Sequence, residues 1–210
     1  MPIEALSTKL PARQAPRRGG VLRASLGLAA VSLLLFGLGY SLIATGLGRA
    51  LFPQAATGSV IERDGRIVGS ALVAQPFGTD RYFQPRPSAA GYDPMALAGS
   101  NQARTNPDMR ERVQETRATV ATREGVAPAA VPSDLATQSG SGIDPHISPE
   151  AARIQIARVA RARDLSPARI ESLLALHVEG KQWGLFGRPR VNVLELNVAL
   201  DALAAPGGVD

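Results

Sequence analysis

Between Arg23 and Arg49 the chain carries 25 consecutive residues, Ala24 to Gly48, without a charge. Wound as an α-helix rising about 1.5 Å per residue, this run is long enough to cross a hydrocarbon core of roughly 30 Å. A secretory signal sequence also pairs basic residues with an apolar run, and small residues follow here at Ala55 and Ala56. The apolar part of such a signal is roughly 7 to 15 residues long, so the longer run reads as one retained transmembrane helix. Lys9, Arg13, Arg17, Arg18 and Arg23 precede it against the single acid Glu4. Basic flanks stay on the cytoplasmic side of a span, which predicts a cytoplasmic N-terminus and an extracytoplasmic position for everything after Arg49. The chain is expected to divide into a basic cytoplasmic N-terminus (1–23), a membrane helix (24–48), one extracytoplasmic domain (50–203) and a flexible tail (204–210). Such a chain is a single-pass protein of the inner (cell) membrane.

The net charge of +5 invites a nucleic-acid reading until the charges are located. Residues 1–49 hold six Lys or Arg and one acid, whereas residues 50–210 hold 17 basic and 17 acidic residues. The excess is therefore the topology signal, and the outer domain has no basic surplus with which to grip phosphates. The chain has no cysteine, which removes disulfides and thiolate metal sites.

Within the outer domain, Asp64-Gly65 separates two β-rich runs and is the strongest short-range hairpin signal, predicting strands at 59–63 and 66–74. Residues 75–106 are rich in Pro, Gly, Ser and Asn, with Phe77, Tyr82, Phe83 and Tyr92 spaced among them. A loop of that length is usually functional or disordered, and its aromatics argue for order. Asn106-Pro107 opens a helix to Glu124 with Met109, Val113 and Val120 on one face, ended by Gly125. Ser148 before Pro149, with Glu150 in the first turn, starts a helix to Arg163. Its inner face is expected at Ile154, Ala157 and Ala160 or Arg161. Ser166-Pro167 repeats that start for a helix to Val178 over Ile170, Leu173, Leu174 and His177. A strand at Arg190–Val193 and a helix at Leu194–Leu203 close an α+β domain with one small antiparallel sheet and about four helices.

The densest run of constrained and polar residues is Ser139 to Glu150, SGSGIDPHISPE. Gly140 and Gly142 admit backbone angles that other residues resist, while Pro145 and Pro149 fix φ, so the run holds one shape. Asp144, His146 and the serines Ser139, Ser141 and Ser148 are the residue types of a nucleophilic triad. A triad needs its base within hydrogen-bond reach of both nucleophile and orienting acid, and SGSG lacks the spacing of a nucleophile elbow. His146 reads first as a stabiliser of its own loop, and a membrane-anchored extracytoplasmic hydrolase using Asp144 and His146 is the alternative. Two histidines, His146 and His177, are too few for a metal site, and no P-loop lysine motif is present. No catalytic residue and no metal ligand is assigned.

Gln75, Asn101, Asn106, Asn192 and Asn197 fall at element boundaries, where turn or cap hydrogen bonding is the ordinary role. The competing role is a polar surface for a partner or a hydrated cation, made with Arg86 and Tyr92. The candidate contact set is thus Gln75, Arg86, Tyr92, Asn101, Asn106, Asp144, His146 and Asn192. Within the span, Gly37, Gly39, Ser41, Gly46 and Gly48 are small enough to let another helix approach closely.

Several motifs then occur in a fixed order: ALVAQPF from Ala71, YFQPRPSA from Tyr82 followed by Tyr92, GSN from Gly99, TNP ending at Pro107, VPSDL from Val131, TQSGSGIDPHISPEAA from Thr137 and GRPRVNVLELNVALD from Gly187. On these the chain resembles the C subunit of the Kdp-type potassium-transporting P-type ATPase, over the anchor and nearly all of residues 58–203. It departs from the family pattern at Ala74, where Gly usually precedes the Gln, and at Ala98, where GGSN is usual. The resemblance implies a non-catalytic accessory subunit of a complex that drives potassium into the cell by ATP hydrolysis. Its implied partners are a channel-like potassium-binding subunit, a P-type ATPase subunit and a very small membrane peptide. The phosphorylated-aspartate motif DKTGT is absent from this sequence, so hydrolysis belongs to another subunit. ATP and potassium act in the complex, and no cofactor is expected on this chain itself. The family is also described as a catalytic chaperone that raises the ATP affinity of the pump subunit. With the domain outside, such an effect passes through transmembrane packing, and the outer domain is expected over the channel-like subunit, supporting assembly and gating ion entry.

Overall fold

A computed structural model describes residues 18–203. Most of the basic N-terminal segment and the tail expected at 204–210 lie outside the described residues. The chain divides into two compact units between Ala56 and Thr57.

In the first unit, α1 (Arg18–Ser32), a π-helical stretch (Leu33–Gly39) and α2 (Tyr40–Leu51) run on without a break, so Gly19–Leu51 is one helix of 33 residues. At 1.5 Å per residue it is roughly 50 Å long, more than a hydrocarbon core requires. Among the described residues it is the one helix that length and composition fit to a membrane span. The widened turns fall where Gly37 and Gly39 restrain the backbone least, and the Ser41 hydroxyl donates to the Gly37 carbonyl at 2.6 Å. A Cβ added at Gly37 or Gly46 would meet nothing within 4 Å. A single turn, α3 (Pro53–Ala56), follows.

The second unit opens with the hairpin of β1 (Val60–Arg63) and β2 (Arg66–Ser70). Asp64 and Gly65 take φ of 52° and 71°, the pair of left-handed angles that a two-residue hairpin turn of this hand needs. The second strand stops at Ser70 rather than at 74. Beyond it the chain turns inward, and the Ala74 N–H donates to the Ile143 carbonyl at 2.9 Å instead of to β1. The expected single sheet is two: the hairpin, and a three-stranded antiparallel sheet in the order β3-β5-β4, with β3 His146–Ile147, β4 Val178–Glu179 and β5 Arg190–Asn192.

Helix starts follow the caps. Asn106 accepts the Asp108 and Met109 N–H groups at the head of α4 (Pro107–Glu124), and Gly125 closes that helix at φ 70°. Ser148 and Ser166 accept the Ala151 and Arg169 N–H groups at the heads of α6 (Pro149–Arg153) and α8 (Pro167–Leu176). A short α5 (Ser133–Ala136) precedes α6, and α9 (Val193–Leu203) ends the domain. The helix expected over 149–163 is broken in two, with α7 at Ile156–Arg163. Gln155 sits at the break, fully buried, its side chain turned to the main chain of Gln84. The break shifts the inner face to Ile156, Val159 and Ala160, leaving Ala157 exposed and Ile154 half-buried. Of the face expected on α4, Val120 is buried but Met109 and Val113 are only half-buried. The core joins Phe83, Ile147, Val159, Ile170, Leu174, Val191, Leu196 and Leu200.

Candidate functional site

The run 139–150 is held in place by the loop that precedes α4. The Ser139 N–H donates to the Pro87 carbonyl at 3.1 Å, and the Ser88 hydroxyl donates to the Gly142 carbonyl at 2.5 Å. Ser88 also accepts the N–H groups of Ala90 and Tyr92, tightening the turn that carries it. Gly142, at φ 78°, has no room for a side chain, since a Cβ there would stand 2.7 Å from both the Ala90 Cβ and the Ala98 carbonyl oxygen. Gly99 likewise lies against the Gly140 carbonyl. Glycines are thus required where two loops cross at van der Waals distance.

This crossing brings Arg86, Asp144 and His146 together in the wall of an open groove of about 740 Å³. The remaining walls come from α5, the head of α6 and the segment Arg188–Arg190. Arg86 Nη1 donates to Asp144 Oδ2 at 2.9 Å, and Asp144 Oδ1 accepts the His146 N–H at 3.0 Å. The His146 ring Nδ1 stands 3.6 Å from the same oxygen. Burial raises the Asp144 pKa, but the hydrogen bonds from His146 and the Arg86 guanidinium outweigh it and hold the carboxyl below its usual range. Just past the end of β3, the Ser148 N–H donates to Asp134 Oδ2 at 2.6 Å and its hydroxyl to Asp134 Oδ1 at 3.2 Å. The amides of His146 in β3 and of Ser148 just beyond it are therefore both taken by carboxylates.

The polar groups of the groove are largely engaged with one another. Ser148 is engaged with Asp134 and Ala151, Ser141 accepts the Ile143 N–H, and among the described residues no serine hydroxyl bonds to the His146 ring. Both Asp144 oxygens are already committed to Arg86 and His146. No group of three or more metal-ligating side chains stands together among the described residues.

The other predicted contacts are spread over the scaffold. Tyr92 donates its hydroxyl to the Arg86 carbonyl at 2.9 Å, and its pKa is raised by burial, with Arg123 opposing. Gln75 donates to the Val68 carbonyl at 3.2 Å, pinning the hairpin. Asn192 caps α9 through the Leu194 and Glu195 N–H groups and donates to the Ala71 carbonyl at 2.8 Å. Asn106 caps α4, and Asn101 is an exposed residue in a left-handed turn, φ 51°. Only Arg86, Asp144 and His146 share the groove.

Further polar residues outside that set are buried or half-buried. Asn197 and Gln155 grip the main chain of Phe83 and Gln84. Arg158 bonds Glu124 at 2.9 Å, the carbonyls of Asp80 and Tyr82, and Gln155. Asp201 gathers Arg63, Tyr82 and Arg163. Of these only Asn197 is among the boundary amides, and no local pattern marks the rest, because most of their partners are remote in sequence.

Comparison with known proteins matches residues 22–202 to the family model described as KdpC, K+-transporting ATPase, c chain. The chain is 56% identical over 196 residues to the potassium-transporting ATPase KdpC subunit of Xanthomonas campestris, covering 93% of this chain and 92% of that one. The KdpC subunits of Xanthomonas axonopodis and Shewanella putrefaciens are 60% and 52% identical over 186 and 183 residues, with 88% and 87% of this chain and 90% of each relative covered. The matched span takes in the long apolar helix, the paired loops and the groove, and the chain belongs to the KdpC family of potassium-transporting ATPase subunits.

Proposed function

We propose that this chain is the non-catalytic accessory subunit of an ATP-driven, high-affinity potassium uptake complex. The supporting observation is the family match, which covers residues 22–202, from within the apolar helix into α9. In this reading Gly19–Leu51 anchors the chain in the cell membrane, the basic N-terminus lies in the cytoplasm and the domain from Thr57 lies outside. Its partners are a channel-like potassium-binding subunit, a P-type ATPase subunit and a small membrane peptide. The groove of Arg86, Asp144 and His146 is the contact surface offered to the channel-like subunit, and through it the domain supports assembly and gates ion entry. Gln75, Tyr92, Asn106 and Asn192 serve that surface by holding the loops around it. Any effect on the ATP affinity of the pump subunit passes through the span, where Gly37, Gly39, Ser41, Gly46 and Gly48 admit a neighbouring helix.

A C-terminally tagged copy purified in mild detergent from potassium-starved cells is the test. Recovery with two large membrane subunits and potassium-stimulated ATPase activity is expected. Reproducible recovery of the chain alone would overturn the reading. Reporter fusions after residues 60 and 203 check the topology, and cytoplasmic signals at both would place the domain on the other side.

A further inference from the structure

The residues between β4 and β5, GKQWGLFGRP from Gly180 to Pro189, form an exposed turn with no part in the core. The turn is tightly bonded. Gln182 and Phe186 exchange backbone hydrogen bonds of 2.9 and 3.0 Å, and the Gly184 and Leu185 N–H groups donate to the Lys181 and Gln182 carbonyls. Held in this way, Trp183, Leu185 and Phe186 are 82%, 76% and 60% exposed. Trp183 meets Phe186 edge-on at 6.1 Å and adopts φ of 52°, a region that bulky residues avoid. Backbone outliers of this kind collect at functional positions. Three large apolar side chains are thus presented to the outside by a stiff turn. Lys181 and Arg188, the latter at the rim where the turn meets the groove wall, flank them, no acid occurs between Gly180 and Pro189, and neither cation forms an ion pair among the described residues.

We propose that this turn enters the headgroup layer of the lipid bilayer and fixes the orientation of the domain. Trp183, Leu185 and Phe186 sit at the boundary between headgroups and acyl chains, where amphipathic aromatic rings concentrate. Lys181 and Arg188 meet anionic lipid phosphates. The proposal rests on the membrane anchor given above. Eight residues separate Leu51 from Val60, a tether of at most about 30 Å when extended, so a domain anchored through that helix stays within reach of the headgroups. A socket in a partner protein would also suit the apolar side chains, but it gives no reason for two flanking cations without an acid.

Trp183 is the chain's one tryptophan, so its emission reports this turn alone. The full chain is reconstituted into phosphatidylcholine vesicles with and without phosphatidylglycerol, and flotation with the vesicles reads the anchor independently. With acyl chains brominated near the headgroup, a blue-shifted emission that loses about half its intensity is expected. Lys181→Glu with Arg188→Glu, or high salt, should reverse about half or more of that loss in the phosphatidylglycerol vesicles. A chain that floats while Trp183 stays water-like and insensitive to bromine in both mixtures would overturn the proposal. Shielding that appears only when the other subunits are reconstituted alongside would also overturn it and assign the turn to a protein socket. Failure to float would overturn the anchor reading itself, and the proposal with it.

Discussion

The side-chain amide of Asn197 holds the main chain of Phe83 from both ends, accepting its N–H at 2.8 Å and donating to its carbonyl at 2.9 Å. Gln155 does the same for Gln84 on the opposite side, at 2.7 and 3.2 Å. Two buried amides thereby stand in for the neighbouring strands of a sheet, and a loop without regular structure carries the fully buried Phe83 into the core. Asn197→Leu leaves two buried backbone groups without partners at about 1–3 kcal/mol each. For a domain of this size the melting temperature should fall by roughly 5–15 °C, measured on the purified full chain. An unchanged melt would show that the loop is not held by this amide.

The buried pair of Arg158 and Glu124 predicts an asymmetry. Arg158→Met leaves the buried Glu124 carboxylate with Arg123 alone, at 2.6 Å, and should cost roughly 3 kcal/mol. Adding Glu124→Leu should restore only part of that loss, because the Asp80 and Tyr82 carbonyls that Arg158 also serves remain unbonded. Urea titration of the single and double variants gives the comparison, and full recovery in the double variant would contradict the dual role.

Two glycines of one motif should behave oppositely. Gly142→Ala places a methyl group 2.7 Å from the Ala98 carbonyl oxygen at a positive φ, whereas a Cβ at Gly140 meets nothing within 4 Å. Gly142→Ala is expected to cost roughly 2 kcal/mol or more and to weaken recovery of the other subunits. Gly140→Ala should lie within about 0.5 kcal/mol of the parent. Paired thermal melts and co-purification read both.

Asp144 makes stability depend on acid. Its folded pKa is depressed, so the contribution is complete at neutral pH, declines once the pH falls below about 4 as the unfolded chain takes up the proton, and disappears when the folded carboxyl is protonated. Asp144→Asn lacks this contribution. The gap in melting temperature between parent and variant should therefore be widest above about pH 5 and close as the medium is acidified; a gap that is constant with pH would refute the assignment.

Local signals in the sequence carried local structure. Asp64-Gly65, Asn106-Pro107, Ser148-Pro149 and Ser166-Pro167 each determine their turn or cap through atoms two or three residues away, and each forms as expected. The break between α6 and α7 has no Gly or Pro to announce it. It arises because Gln155 bonds a main chain 71 residues distant, and with it the inner face of the helix moved. Arg158, Gln155 and Glu124 look like an exposed polar face in sequence, yet they are buried because the irregular loop of Asp80–Gln84 needs donors and acceptors to replace water. Within the groove, the neighbours Asp144 and His146 were legible from the loop itself. Their connection to Arg86, 58 residues from Asp144, depends on the crossing of two loops.

The carboxylates of Asp144 and Asp134 also close the β3 edge of the three-stranded sheet to copies of the domain. Confinement by a membrane anchor raises the encounter rate of like molecules far above that of free ones, and an edge strand with free amides is a template on which a second chain can grow a sheet. Here the outward amides at His146 and Ser148 are already occupied. Crowded in one plane, neighbouring copies find no free amide on this edge of the three-stranded sheet from which to extend it.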